Sequence, residues 1–150
     1  YMEAGMKSNH TGAIHRINYL SNELDALYHQ SSLKFGISDS VSVVLYTVQD
    51  CGGECPLGEI YKATGISRQT VNSAVRSLER DGMLYLEQDS GRTKRVHLTG
   101  RGRDFADRTV ARLFRAETAA FDSWGEDEIA DYIRLMEKYL QCFRREVEKL

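Results

Sequence analysis

Side chains that can read nucleic-acid bases are concentrated in one short segment of the chain, residues 67–76. They are long or amide-bearing donors and acceptors: Arg68, Gln69, Asn72, Ser73 and Arg76. Glutamine and asparagine amides pair bidentately with adenine, and an arginine guanidinium pairs with guanine. The segment is therefore a candidate for base recognition. The alternative is an ordinary solvated helix face, which only has to be soluble.

A helix with a defined beginning and end must position these side chains. Ser67 can cap its N-terminus by accepting a hydrogen bond from a free backbone N–H group, and Gly82 can take the left-handed conformation that ends many helices. Between them, apolar residues recur at i, i+3, i+4 and i+7, namely Val71, Ala74, Val75 and Leu78. This spacing predicts one buried face and leaves the polar side chains on the exposed face.

The neighbouring segments predict a helix-turn-helix with a wing. A short helix over residues 57–63, with Leu57, Ile60 and Tyr61 inward, and a turn over 64–66 precede the recognition helix. After Gly82 the pattern alternates over 83–88, a polar turn follows, and 94–98 alternates again, which indicates a β-hairpin. The hairpin would present three basic residues, with the first at its tip where it can enter a minor groove: Arg92, Lys94 and Arg95.

The remaining segments are predicted to be mainly helical. Residues 11–33 form one amphipathic helix. Ser38 can cap a second that runs to about Asp50, although its β-branched residues would also suit a strand. Residues 51–56 are predicted to form a turn that can end in a very short strand. Thr99 can cap a single helix that reaches about Trp124, with these residues inward: Ala106, Val110, Leu113, Ala120 and Trp124.

The last helix has an apolar repeat with spacings of four and three, which is typical of a coiled coil. Together with the first helix it flanks the winged unit, and this arrangement predicts a symmetric homodimer. The predicted interface residues are Ile14, Ile17, Ile133, Met136, Leu140, Phe143 and Val147. The alternative is that these stripes pack within one chain.

Composition is that of one soluble globular domain of 150 residues, with 41% hydrophobic and 28% charged residues. No apolar run approaches the length of a membrane helix, so we expect a cytoplasmic protein.

Residues 67–103 carry eight basic and four acidic residues, a net charge of +4, whereas the rest of the chain carries −6. This asymmetry favours a DNA-contacting surface. Tyr1–Gly5, before Met6, are expected to be a remnant or a processed end.

Motifs for catalysis or metal binding are weak. Cys51 and Cys55 could approach one metal ion, but no histidine has a matching spacing, and we expect the cysteines, with Cys142, to be free thiols. His10, His15 and His29 are more typical of a surface than of a ligand site. No phosphate loop or nucleophile motif occurs. We therefore predict a protein that is not an enzyme and that needs no cofactor or metal.

Three motifs together resemble the MarR family of winged-helix transcriptional regulators. They are Ile66-Ser-Arg-Gln-Thr-Val, Leu78-Glu-Arg-Asp-Gly-Met-Leu and, after the wing, Val96-His-Leu-Thr-Gly-Arg-Gly102. The resemblance covers about residues 11–150. It implies a mainly α fold with a small β-hairpin wing, in one domain: a winged helix-turn-helix over 38–103, flanked by dimerisation helices over 11–33 and 104–150.

The resemblance also implies a function. A homodimeric regulator, expected to be a repressor, would bind double-stranded DNA at a pseudo-palindromic operator, and a small-molecule effector in a crevice would release it. Ser67, Arg68 and Thr70 would lie near phosphate and Gln69, Asn72 and Arg76 near base edges. The crevice would be edged by His15, Tyr19, Tyr46 and Phe105.

One departure from the family concerns the wing. The family usually has an aspartate two residues before the wing arginine, whereas this chain has Ser90 there and Asp89 one residue earlier. Two alternative functions remain open. One is a winged-helix module for protein contact, and the other is a thiol-based redox regulator of the same fold.

Overall fold

The elements of the chain follow one another in the order predicted for a winged helix with additional helices at both ends. A computed structural model describes residues 10–150, so the terminal segment Tyr1–Gly5 lies outside the described residues. The helices and strands are α1 Thr11–Phe35, α2 Asp39–Asp50, β1 Glu54–Pro56, α3 Leu57–Thr64, α4 Arg68–Arg80, β2 Leu84–Gln88, β3 Lys94–Leu98, α5 Gly100–Arg108, α6 Val110–Ala120 and α7 Glu126–Val147. The mainly α fold with a small β-sheet is confirmed.

α2 forms a helix even though it is rich in β-branched residues. Ser38 caps it, because the Ser38 hydroxyl accepts a hydrogen bond from the Val41 N–H at 3.2 Å. Val44, Leu45 and Val48 are 0% exposed. Their helical spacing places them on one face, and the burial of that face outweighs the local strand propensity.

β1 turns the hairpin into a three-stranded antiparallel sheet with the order β1-β3-β2. Val96 in the central strand lies opposite Cys55 of β1 and Leu86 of β2. Val96 and Cys55 are fully buried, so the sheet has one face in the core. The very short strand expected near Pro56 therefore exists, and it makes β3 the central strand.

The core of the winged unit lies between α2, α4 and the sheet. The inner face of α4, which consists of Val71, Ala74, Val75 and Leu78, is buried there as its spacing predicted. Ile60 of α3 and Leu84 of β2 are also buried in this cluster. Since one face of α4 is fixed by apolar burial, its opposite face is fixed toward solvent.

α1 and α2 are connected by a polar contact. His29 Nδ1 lies 2.9 Å from Asp39 Oδ2, and both side chains are exposed. The hydrogen bonds from His29 and Ser32 lower the pKa of Asp39. Because the folded-state pKa is lowered, this carboxylate contributes stability at neutral pH, and the contribution is lost as the pH falls through that lowered pKa.

The single helix predicted from Thr99 to about Trp124 was wrong in its length. Thr99 does cap α5 by accepting from the Gly102 N–H at 3.0 Å, but the helix breaks at Thr109, which has φ −124° and ψ −93°. The buried Thr109 hydroxyl donates to the Phe105 carbonyl at 2.7 Å. Such local hydrogen bonds from threonine bend helices, and here α6 starts anew at Val110.

The described chain forms two compact units, one ending at Arg112 and the other comprising Leu113–Leu150. The single-domain arrangement stays a prediction.

In the second unit α6 ends at Ala120. Ala120 and Trp124 were predicted to be inward, but both are exposed. Trp124 makes edge-on ring contacts with Phe121 and Tyr132. None of the described helices is long and apolar enough to cross a membrane.

Candidate nucleic-acid interface

The N-terminus of α4 is built as predicted. The Ser67 hydroxyl accepts a hydrogen bond from the Thr70 N–H at 3.1 Å, and the two hydroxyl groups are 2.8 Å apart. At the other end, the N–H groups of Gly82 and Met83 donate to the carbonyls of Glu79 and Leu78, and Gly82 has φ +74°. These two hydrogen bonds form the left-handed helix ending for which glycine is suited.

The exposed face of the N-terminal half of α4 carries most of the predicted DNA-contacting residues. Arg68, Gln69, Ser73 and Arg76 are exposed. The Arg76 guanidinium donates to the Ser73 hydroxyl at 3.3 Å, which couples these two side chains one helical turn apart. The face therefore presents amide and guanidinium groups together, as base recognition requires.

Asn72 differs from its neighbours because Tyr61 holds it. The Tyr61 hydroxyl donates a hydrogen bond to Asn72 Oδ1, and both residues are half-buried. The Arg68 guanidinium carbon lies 4.9 Å from the centre of the same tyrosine ring, within cation–π distance. Tyr61 thus contacts two predicted DNA-binding residues. Its helical spacing indicated only a core position, and no sequence signal relates it to a residue eleven places later.

The wing tip is braced by its own hydrogen bonds. The Gln88 amide donates to the carbonyls of Gly91 and Thr93 at 2.7 and 3.2 Å, and the Thr93 hydroxyl donates to the Ser90 carbonyl at 2.7 Å. These contacts leave Arg92 exposed at the tip, with Lys94 exposed beside it. The tip of this wing is therefore braced by Gln88 and Thr93.

Arg95 occupies a different environment from Arg92 and Lys94. Its guanidinium lies 3.3 Å from the Asp89 carboxylate and 4.0 Å from Glu54, and its side chain is only 33% exposed. His97 is adjacent on the sheet, with its ring nitrogens 3.2 Å from Glu54 and 2.8 Å from Glu87. The charge of Arg95 is thus partly balanced by acidic neighbours, unlike the charges of Arg92 and Lys94, and its contact with DNA stays a prediction.

The wing is fixed to the next helix by a close backbone contact. The Thr99 hydroxyl and N–H donate to the carbonyls of Gly82 and Met83 at 2.6 and 3.0 Å. A side-chain carbon at Gly102 would overlap the Met83 carbonyl. The Leu98-Thr-Gly-Arg-Gly102 motif therefore joins the end of α4 to the start of α5. The two segments approach so closely that only glycine fits at position 102.

The predicted effector residues lie in two kinds of environment in the first unit. His15 and Tyr19 are exposed on α1, with the Arg16 guanidinium carbon 5.3 Å from the Tyr19 ring centre. Tyr46 and Phe105 are half-buried and pack against the core of the winged unit. Within residues 10–150, no group of three or more histidine, cysteine or acidic side chains is placed to hold a metal ion.

The predicted dimer residues are exposed apolar side chains. Ile14 and Ile17 lie on α1 in the first unit, and in the second unit the stripe of α7 consists of Ile133, Met136, Leu140, Phe143 and Val147. Each unit therefore presents an uncovered apolar helix face in the isolated chain.

These features define a winged helix-turn-helix, with α4 as its recognition helix and β2–β3 as its wing. Residues 35–95 match the sequence model of the MarR family. Over these residues the chain is similar to the MarR family, and the resemblance predicted from the three motifs is confirmed. No curated protein matches the sequence at a significant level.

Solved structures show the same fold over most of the chain. The MarR family regulator NMB1585 of Neisseria meningitidis is 17% identical with a TM-score of 0.77, covering 93% of this chain and 96% of that protein. A MarR family transcriptional regulator of Silicibacter pomeroyi is 22% identical with a TM-score of 0.66, covering 85% and 87%. BpsR of Bordetella bronchiseptica, whose DNA binding is regulated by 6-hydroxynicotinic acid, is 22% identical with a TM-score of 0.62, covering 83% and 98%.

Proposed function

We propose that this chain is a sequence-specific DNA-binding transcriptional regulator that acts as a repressor. The observation that carries the proposal is the presence of two contact elements in one compact unit. The polar face of α4 is exposed from Arg68 to Arg76, and the braced wing exposes Arg92. The net positive charge of residues 67–103 supports attraction to phosphate at this surface.

In this proposal α4 enters the major groove while the wing tip reaches the adjacent minor groove. Ser67, Arg68 and Thr70 contact phosphate at the helix N-terminus, where the helix dipole favours an anion. Gln69 and Arg76 read base edges directly. Asn72 reads with its NH₂ group and with the lone pair that remains on Oδ1, since Oδ1 accepts one hydrogen bond from Tyr61.

The proposed active form is a homodimer on a pseudo-palindromic operator. The exposed apolar residues of α1 and α7 support this proposal, because uncovered stripes of this length are unfavourable in water. A second copy of the same chain would cover them and would set two recognition helices at a fixed spacing.

We further infer that a small aromatic acid releases the regulator from DNA by favouring a dimer whose recognition helices are misplaced. The regulation of BpsR by 6-hydroxynicotinic acid supports this class of ligand. The candidate contacts are His15, Tyr19, Tyr46 and Phe105. Titration of the operator complex with 6-hydroxynicotinic acid should weaken DNA binding in the wild type and less so in Tyr46→Ala.

Selection of bound DNA from a random pool tests the proposed function. The expected result is an enriched palindrome whose half-sites are about one helical turn, roughly 10 base pairs, apart. A variant with Gln69→Ala and Arg76→Ala should enrich a weaker motif or none. If the wild type leaves the pool unenriched, the proposal is wrong and the fold serves another kind of contact.

A further inference from the structure

Two cysteine thiols lie side by side at the junction between α2 and β1. The Sγ atoms of Cys51 and Cys55 are 2.9 Å apart, about 0.9 Å longer than an S–S bond of about 2.04 Å. Cys51 is exposed at the C-terminal end of α2, and Cys55 is buried in β1. A movement of less than an ångström in the sulfur positions therefore brings the two atoms to bonding distance.

The backbone on both sides of this pair is fixed by hydrogen bonds. Between the cysteines, the Gly53 N–H donates to the Val48 carbonyl at 2.9 Å, and the Gly53 carbonyl accepts from the Leu98 N–H at 2.8 Å. Cys55 itself pairs with Val96 in the sheet. The two thiols are thus held together by the fold and do not depend on a mobile loop to meet.

We propose that Cys51 and Cys55 form a dithiol site that a low-molecular-weight disulfide oxidises to an intramolecular disulfide. The site is separate from the DNA-contacting side chains of α4 and the wing tip. The inference therefore does not depend on the proposed function, and each can fail without the other.

The two cysteines have different roles because only a thiolate attacks a disulfide. Burial, and the hydrogen bond with Cys51, raise the pKa of the Cys55 thiol to about 12. Cys55 is therefore protonated at neutral pH, and its sulfur is shielded from a reagent in solution. Cys51 is exposed and is the sulfur that the reagent reaches.

The reaction takes place in two exchange steps. In the first, the Cys51 thiolate attacks one sulfur of the reagent disulfide, the S–S bond of the reagent breaks and one thiolate leaves. In the second, Cys55 gives up its proton, attacks the Cys51 sulfur and displaces the second reagent thiolate. Overall, two protein thiols are oxidised, one reagent disulfide is reduced to two thiols, and those thiols take the two protons.

Oxidised glutathione, added to the full chain, tests the proposal by intact mass and peptide mapping after alkylation of the remaining thiols. In the wild type, the peptide map should show Cys51 and Cys55 joined, with the loss of two hydrogen atoms, and protected from alkylation, and dithiothreitol should reverse the change; any glutathione adduct on the exposed Cys142 is mapped separately. Cys142→Ser should give the same bond and, without a third thiol, an intact mass lower by two hydrogen atoms. Cys55→Ser should stop at a glutathione adduct on Cys51, and Cys51→Ser should leave Cys55 unreacted.

Three results would overturn the proposal, and the wild type alone can give each of them. One is a glutathione adduct on Cys51 that persists without an internal bond. The second is full alkylation of both thiols after the treatment. The third is a bond between two chains with no bond between Cys51 and Cys55. Circular dichroism of the variants checks that their folds are retained.

Discussion

At the scale of single residues, the exposed surface of the winged unit contains side chains with different degrees of freedom. Gln69 and Arg92 are exposed, whereas Tyr61 holds Asn72 and carboxylates balance Arg95. A side chain that is already held loses less conformational entropy when it binds, and it is also less able to adapt. Substitutions at these positions should therefore have distinguishable effects on DNA binding.

Gln69→Ala should weaken operator binding by about 1–3 kcal/mol, because an amide that pairs bidentately with adenine is removed. Affinities for the selected operator and for random DNA, measured by fluorescence anisotropy at one salt concentration, check this prediction. Changing the contacted base pair should cost the wild type affinity but leave the variant almost unaffected. Equal losses on operator and random DNA would exclude a base contact.

Tyr61→Phe removes the hydroxyl that donates to Asn72 but keeps the ring on which Arg68 lies. We expect a loss of about 0.5–1.5 kcal/mol in the free energy of unfolding, measured in urea. Operator affinity should also fall, and discrimination should relax at one base position. Tyr61→Leu should have a larger effect on affinity because it also removes the aromatic ring beneath Arg68. Unchanged discrimination in Tyr61→Phe would mean that the hydrogen bond does not position Asn72 for reading.

Arg92→Ala should lower the affinity for operator and for random DNA by similar factors. A wing arginine in the minor groove contributes mainly electrostatic attraction, so the slope of log affinity against log salt should decrease by about 1. Arg134→Ala, which removes an exposed arginine of α7, is the matched control and should leave the slope unchanged. A loss confined to the operator would instead assign base reading to Arg92.

At the scale of elements, the sequence predicted those helices whose ends and faces are determined locally. Ser38, Ser67 and Thr99 cap α2, α4 and α5 as expected, and the apolar face of α4 is buried as its spacing predicted. The hairpin was also found, because its alternation and polar turn are local patterns. Hydrophobic periodicity and capping together were sufficient for these elements.

Features that depend on distant partners could not be predicted in the same way. The break at Thr109 depends on a buried hydroxyl that bonds back to Phe105, and an uninterrupted apolar stripe does not reveal it. The ion pair of Arg95 with Glu54 could not be predicted either, because Glu54 reaches Arg95 only through the pairing of β1 with β3. Long-range pairing therefore limits what periodicity alone can assign.

The close contact between α5 and the start of β2 predicts a large effect for one small substitution. Gly102→Ala should destabilise the chain by about 1–3 kcal/mol, since the added carbon would overlap the Met83 carbonyl. Gly100→Ala is the matched control, because it lies in the same helix with open space around it. Thermal and urea unfolding measure both variants, and equal stability would contradict the steric explanation.

At the scale of the whole molecule, the distribution of charge and of apolar surface is uneven. The segment 67–103 is basic although the chain has a net charge of −2. Apolar side chains on α1 and α7 remain about half exposed in the isolated chain. Acidic surface elsewhere disfavours non-specific contact with DNA, and the apolar stripes favour self-association.

Leu140→Glu should shift the chain from dimer toward monomer. Leu140 is 55% exposed in the isolated chain, and a glutamate there would be buried without a partner in the dimer, at a cost of roughly 3 kcal/mol or more. That corresponds to at least about a hundredfold weaker association, which sedimentation velocity can measure. Lys138→Glu, which changes charge outside the apolar stripe, should remain dimeric. A wild type that is monomeric at micromolar concentration would contradict the homodimer.

The junction at Thr99 has a mechanical consequence. Two hydrogen bonds from Thr99 connect the start of α5 to the residues that follow α4. Gly102 also approaches the Met83 backbone closely, so the two helix ends are held together. We therefore expect the two helices to move together, with the change of direction at Gly82 and Met83. A rotation of α5 would then turn α4 in the same direction and change the angle at which α4 would meet a groove.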